Sequence, residues 1–331
     1  MITCVPGFAV GHASDFVNLT GCSVILCPPG TVGGVDIRGS AASTRQTDAL
    51  SGFHIVEEVH AVLLSGGSAF GLDAAGGVMQ FLEERGRGFD VTVTTVPTVA
   101  SAVIFDLSLG NHRIRPDKAM GYDACLAARP EYQGAGSLGA GTGATVGKLL
   151  GISQATKGGL GSTCLKGPDG LLVGALAVVN AFGDVVDPDT GKIIAGARLA
   201  ADSHEFADSA ALMRQGQVRE RFGEPNTTIG VVATNARLTR EEAQKIAQMG
   251  QNGLARTIRP VHTLFDGDIV FVLSHPKITV DLHIVALLAQ EGIERAILDG
   301  VRQAEGLGGM PSYQDLQKKS QNFSSQDGSG A

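Results

Sequence analysis

The stretch Gly223-Glu224-Pro225-Asn226-Thr227-Thr228-Ile229-Gly230-Val231-Val232-Ala233-Thr234 runs a polar, proline-broken connector straight into a short apolar run. Ile229 to Ala233 has the length and aliphatic content of a buried strand. Residues 195–226 before it are polar and read as a linker that could be cut. A cut between Asn226 and Thr227 would place a threonine first in a buried strand, with a hydroxyl nucleophile and a free amine as its base. A threonine at a strand entrance is also ordinary β chemistry. The stretch therefore reads in two ways, and its surroundings have to choose.

Downstream, Thr239-Arg240-Glu241-Glu242 is a capping box opening a helix to about Ala255, and Arg259-Pro260 ends it. Val261 to Asp268 leads into a second aliphatic strand, Ile269 to Leu273. A last helix is predicted from about Val280 to Gln303, with Ile284, Leu287, Leu288 and Leu298 on one stripe widened by Ile297 and Val301. Gly292 in its middle argues against one unbroken helix. From Pro311 to Ala331 the Ser, Gln, Asp, Gly and Lys content predicts a disordered tail.

Upstream, Leu171 to Val179 is nearly all aliphatic, a central strand ending at Asn180, and Val185 to Ile194 reads as a hairpin. Residues 1–60 read as short strands and turns. Ala61 to Leu64, the loop Ser65-Gly66-Gly67-Ser68 and the periodic run Ala69 to Glu84 read as strand, glycine turn and helix. That turn is either an anion cradle at a helix start or a plain connection in a cleft wall. Val91 to Val96 alternates as a strand, Val99 to Leu107 is a strand or short helix, and Asp117 to Ala128 a weak helix. Strands and helices thus alternate around one core, without a long-period repeat. The cut falls inside the domain, so a cleaved product stays associated.

Composition narrows the function classes. The 331 residues are 43% hydrophobic and 18% charged, with 46 glycines and a net charge of −7, a balance that belongs to folded globular proteins. Lys and Arg are scattered, which argues against nucleic-acid and anionic-membrane partners. No apolar run approaches the roughly 20 residues of a membrane helix, and Met1 to Gly7 lacks the features of a secretory signal. Five cysteines, odd in number and without a C-x-x-C pair, read as reduced and cytoplasmic, mostly core residues, with neither metal site nor disulfide framework.

The glycine-rich run Gly134 to Lys148 invites a phosphate-loop reading, but Thr142 stands where a glycine is needed and Leu149 where Ser or Thr would bind magnesium. No dinucleotide fingerprint survives after Gly141-Thr142-Gly143 either. Asn180, a polar amide closing a buried strand, reads either as a turn former or as a donor to a developing oxyanion. Asp266 and Asp268 flank Gly267, and read either as a plain turn or as paired carboxylates that tune and relay protons.

Two segments decide between these readings. Asn226 to Asn235 and His262-Thr263-Leu264-Phe265-Asp266-Gly267-Asp268 resemble the self-processing hydrolases that include the L-aminopeptidase/D-amidase-esterases, the β-aminopeptidases and the nylon-oligomer hydrolase. Ser65 to Asp73 and Gly139 to Gly143 fit as well, so the resemblance covers nearly the whole chain. It implies an α/β fold, an αββα sandwich related in layout but not connectivity to N-terminal-nucleophile hydrolases. It implies one catalytic domain, residues 1–310, cut between Asn226 and Thr227 into fragments 1–226 and 227–331, with 311–331 as the tail.

Carried over by position, the resemblance implies Thr227 as nucleophile, Asn180 near the scissile carbonyl, and Lys148, Asp266 and Asp268 as the lysine and aspartate pair of the threonine-type branch. The aminopeptidase branch has serine and glutamate at the pair, a serine nucleophile, and a tyrosine where Phe105 stands here. The implied activity is hydrolysis of small peptides, amino acid amides or oligoamides through an acyl-enzyme, without metal or organic cofactor, in a homo-oligomer, a tetramer by resemblance. An acyltransferase of the ornithine acetyltransferase type is the alternative on the same scaffold. A non-catalytic binding homologue is disfavoured by the joint presence of all five residues.

Overall fold

Alternating side chains along the strands build two five-stranded sheets in the computed structural model, which describes residues 1–131, 134–217 and 225–318. Gly223 and Glu224 of the connector, and residues 319–331 of the expected tail, lie outside the described residues. The sheet strands in chain order are β1 (Ala9–Asp15), β2 (Thr20–Leu26), β3 (Val32–Ile37), β4 (Thr44–Arg45), β5 (Ala61–Ser65), β6 (Val99–Val103), β7 (Gly159–Lys166), β8 (Leu172–Asn180), β9 (Thr227–Ala236) and β10 (Ile269–Ile278). One sheet has the order β1-β2-β5-β6-β4 and the other β7-β8-β9-β10-β3. Only β5 with β6 and β9 with β10 run parallel within them. The helices are α1 (Ala74–Glu83), α2 (Lys118–Leu126), α3 (Ser209–Arg214), α4 (Arg240–Thr257) and α5 (Leu282–Arg302).

Strand parity sorts the core into three layers. Ile229, Val231, Ala233, Val178 and Leu176 meet Ile25, Leu64 and Ala102 between the sheets. Val232, Val270, Ala175 and Ala177 turn the other way, onto Ile246, Ala247 and Leu254 of α4 and Val285, Ala289 and Ile293 of α5. Val24, Leu63 and Val99 of the first sheet turn onto Val78, Phe81 and Leu82 of α1 and Ala124 of α2. The order is helix, sheet, sheet, helix, the αββα layout the resemblance implied. Each fully buried aliphatic of this kind stabilises by about 1.5–3 kcal/mol, so β9 is held in register by burial on both faces. Thr227 shares the parity of Ile229 and Val231, and Asn180 that of Val178. Because Asn180 is the partner of Thr227 in the antiparallel ladder, both side chains face the space between the sheets.

Several expectations need correction. Gly292 does not break the last helix: α5 runs unbroken through it, and a Cβ there would come within 3.1 Å of the Ala175 Cβ. The glycine lets the helix lie close on β8, and burial outweighs the propensity cost of about 1 kcal/mol. The buried stripe is Val285, Ala286, Ala289, Gly292, Ile293, Ala296, Ile297, Gly300 and Val301, whereas Leu287 is exposed. Val91 to Val96 is no core strand, since only Thr95–Val96 is extended, in a small hairpin with Phe89–Asp90. The linker carries α3 and the buried Arg198. The described part of the expected tail is ordered: residues 313–318 are helical, Ser312 and Leu316 are buried, and the Pro311 carbonyl accepts from Lys157 N at 2.9 Å. No helix among the described residues is long and apolar enough to cross a membrane.

The cysteine reading fails at one pair. Cys4 and Cys164, 160 residues apart with Cα atoms 6.2 Å apart, form a disulfide that ties the N-terminal turn to β7. Cys22, Cys27 and Cys125 are free and buried, and burial pushes all three thiols up, so they are unreactive. An odd count hid the pair, and pairing across so long a loop is invisible to local spacing. Reduction is expected to lower unfolding stability by about 2–4 kcal/mol, read as a shift in urea midpoint with and without reductant. An unchanged midpoint would mean that the link contributes nothing.

Candidate active site

The start of β9 is clamped from both sides. Asn226 lies parallel to Asp266, donating its N–H to the Phe265 carbonyl at 2.7 Å and accepting Gly267 N–H on its own carbonyl at 2.7 Å. The Thr227 hydroxyl donates to that same Asn226 carbonyl oxygen at 2.6 Å. The bond between Asn226 and Thr227 therefore carries a hydroxyl beside its carbonyl and a backbone donor on its oxygen, and both residues are buried. Gly267 is needed there because a Cβ would come within 2.8 Å of backbone atoms of Ala41 and Ala42.

The two aspartates enter on the turn before β10. Asp268 Oδ1 accepts Thr228 N–H at 2.8 Å, and Oδ2 accepts the backbone N–H of His262 at 3.2 Å and its ring Nδ1 at 2.8 Å. Asp266 accepts Phe182 N–H at 3.1 Å on Oδ1, and on Oδ2 Thr263 N–H at 3.0 Å and the Thr263 hydroxyl at 2.5 Å. Burial first, and the neighbouring Asp268 charge second, push the Asp266 carboxyl up to about 6. Because this folded value lies above the ordinary aspartate value of 3.8, Asp266 binds its proton more tightly folded than unfolded. Its contribution to stability therefore falls as pH rises from about 4 to about 6.

On the other side of Thr227, buried Lys148 donates from Nζ to Asn180 Oδ1 at 2.8 Å and to the Asn180 carbonyl at 3.2 Å. Asn180 Oδ1 also accepts Thr145 N–H at 3.0 Å, and its Nδ2 donates to the Phe105 carbonyl at 3.0 Å. Asn180 is thus no turn former but a hub joining Lys148, the glycine-rich run and the segment after β6. Its amide N–H points at Phe105, and the donor on the Asn226 carbonyl oxygen is Gly267. Phe105, Asp106, Ser108, Leu109, Gly143, Thr145 and Ile152 line a narrow pocket that reaches Lys148.

The glycine loop after β5 cradles no free anion: Gly67 N–H donates to buried Asp106 at 2.7 Å, and Thr20 adds a hydroxyl at 2.8 Å. It is a connection whose backbone holds the Asp106 side chain. Lys157, fully buried, donates to the Ala144 and Gly141 carbonyls at 2.8 and 3.2 Å and so fixes the glycine-rich run that carries Thr145 and Lys148. Burial pushes its amine down to about 7. Asn180, Asp266 and Asp268 thus each meet the chain between Asn226 and Thr228, and Lys148 joins them through Asn180. His262, Thr263 and Gly267 lie inside a segment that carries the resemblance but had no role assigned there, and Asp106 and Lys157 emerge only from the contacts.

Comparison with known proteins agrees with this picture. Residues 1–314 match the family described as Peptidase family S58. The chain belongs to that family. As an S58 protein it is a hydrolase of the aminopeptidase and amidase class. It is 42% identical over 347 residues to an uncharacterized aminopeptidase of Mycobacterium leprae, covering 94% of this chain and 92% of that one. It is 32% identical over 279 residues to the 6-aminohexanoate-oligomer endohydrolase of Paenarthrobacter ureafaciens, covering 82% and 74%. The L-aminopeptidase D-Ala-esterase/amidase from Ochrobactrum anthropi superposes with a TM-score of 0.69 at 18% identity, over 98% of this chain and 94% of that one. The latter is described as a variant of the Ntn hydrolase fold, and the S58 chain shares that fold.

Proposed function

We propose that this S58 protein is a self-processing N-terminal-threonine hydrolase of amide bonds in small peptides, amino acid amides or oligoamides. The observation that carries the reading is the Thr227 hydroxyl 2.6 Å from the Asn226 carbonyl oxygen, itself held by Gly267 N–H at 2.7 Å. In processing, Thr227 Oγ1 bonds to the Asn226 carbonyl carbon while the carbon–nitrogen bond breaks, and the hydroxyl proton ends on the new amine. Water then opens the ester, leaving an Asn226 carboxylate and restoring the hydroxyl. Gly267 N–H stabilises the oxyanion of that first addition, a donor role of the kind worth roughly 10²–10³ in rate.

In turnover the freed Thr227 amine takes the hydroxyl proton as substrate acylates Oγ1 and passes it to the leaving amine, and water then cleaves the ester, releasing the acid and restoring the hydroxyl. Lys148 and Asn180 lie on the pocket side of the nucleophile, and Asp268 holds Thr228 N–H so that the amine stays aligned. Asn180 reaches the substrate oxyanion by exchanging its bond to the Phe105 carbonyl. The relatives' names span aminopeptidase and oligoamide hydrolase, which supports amides as the substrate class. A homo-oligomer, a tetramer by resemblance, belongs to the same reading, and light scattering of the purified protein tests it.

The reading is tested by a denaturing mass spectrum beside an assay on aminoacyl p-nitroanilides and short oligoamides. Fragments 1–226 and 227–331 with amide hydrolysis are expected; an intact active chain would remove the processing step. The raised Asp266 carboxyl adds a pH dependence. Hydrolysis is expected to fall as pH drops through about 6, because protonation removes acceptor capacity from the clasp on Phe182 and Thr263. In Asp266→Asn that acid limb should disappear at a lower plateau rate, and a limb left in place would assign it to another group.

A further inference from the structure

His262 hydrogen-bonds Asp268 of the aspartate pair, and nothing in the reaction as proposed assigns it a role. It donates twice to the same oxygen of Asp268, from its backbone N–H at 3.2 Å and its ring Nδ1 at 2.8 Å. Two donors on Oδ2 fix the carboxylate rotamer and leave Oδ1 aimed at Thr228 N–H, 2.8 Å away and one residue beyond the nucleophile. The backbone of His262 is left-handed, with φ +52, a region a non-glycine residue occupies at a cost and only when its surroundings impose it. A glycine would suit that backbone better, so the presence of a side chain calls for a reason. The ring is 19% exposed against 2% for Asp268, and so is neither a core filler nor a free surface group.

We propose that His262 is a positioning residue for the nucleophile: its Nδ1 donor locks Asp268, and through Asp268 the entrance of β9 at Thr227 and Thr228. The inference rests on the reading of Thr227 as nucleophile. The alternative is that residue 262 serves only the turn, and two substitutions separate the ideas. His262→Gly suits the left-handed backbone and deletes the donor. His262→Asn also tolerates that backbone and places an amide donor near the position of Nδ1.

The test follows decay of the intact chain in freshly purified full-length protein by denaturing mass spectrometry, and kcat and KM on an aminoacyl p-nitroanilide that the wild type hydrolyses. Thermal unfolding of each variant monitors the fold. Loss of a hydrogen bond to a charged group predicts that His262→Gly lowers the processing rate and kcat by about 10- to 100-fold. KM should stay unchanged and His262→Asn recover most of the rate. A His262→Gly protein as fast as wild type would overturn the proposal, as would a folded His262→Asn protein as slow as His262→Gly. A wild-type chain that never cleaves itself yet hydrolyses the anilide would sink the processing reading alone, with His262 still judged on kcat. A wild type with neither activity would remove both.

Discussion

Thr227→Ala is expected to give a single species of residues 1–331 under denaturing conditions and no amide hydrolysis above background, where wild type gives fragments 1–226 and 227–331. The substitution removes the hydroxyl that lies against the Asn226 carbonyl and, with it, both the processing step and the acyl-enzyme. Loss of a nucleophile that acts with its base as a unit costs about 10⁴-fold or more in kcat. The fold should survive, since the ladder to Asn180 is made by the backbone and the core of β9 starts at Ile229. Thr227→Ser supplies the control, because it keeps a hydroxyl and should process. A Thr227→Ala chain that is still cut at the same bond would assign the cleavage to another group and end the account.

The second large effect is expected at Asn180, in stability as well as rate. Asn180→Ala removes the side-chain acceptor 2.8 Å from buried Lys148 and also the acceptor of Thr145 N–H and the donor to the Phe105 carbonyl. A lost hydrogen bond to a charge costs about 1.5–3 kcal/mol and each orphaned buried group about 1–3 kcal/mol more. A loss of about 3 kcal/mol or more in urea unfolding is therefore expected, measured on the Thr227→Ala background so that one covalent species is compared. Adding Lys148→Met should recover part of it, because the charge whose side-chain acceptor was removed is gone, and such coupling is what neighbouring groups show. Strict additivity of the two changes would mean that they do not act as a pair.

The strand and helix pattern around β9 was legible because burial writes itself into local periodicity. Leu171 to Val179, Ile229 to Ala233 and Ile269 to Leu273 could only be buried strands, and Thr239 with Glu242 marked the start of α4. Gly292 misled because propensity is local while its contact with Ala175 is not. Cys4 and Cys164 misled for the same reason, with 160 residues between them. Pro311 to Leu316 looked disordered because its composition is polar, yet its anchor is the backbone N–H of Lys157, which composition cannot foresee.

At the site, resemblance could nominate Thr227, Asn180, Lys148, Asp266 and Asp268, but not what each touches. The sequence by itself determined the residue types available: a threonine before an aliphatic run, a lysine after glycines, an amide closing a strand and two carboxylates around a glycine. Only the tertiary structure decided that Gly267 donates to the Asn226 carbonyl, that Asn180 holds Lys148, and that His262 grips Asp268. The physical reason is that hydrogen bonds form between groups brought together by sheet register and by the packing of two sheets. That register follows from which faces of β8, β9 and β10 are buried, a property of the whole chain and of no single motif.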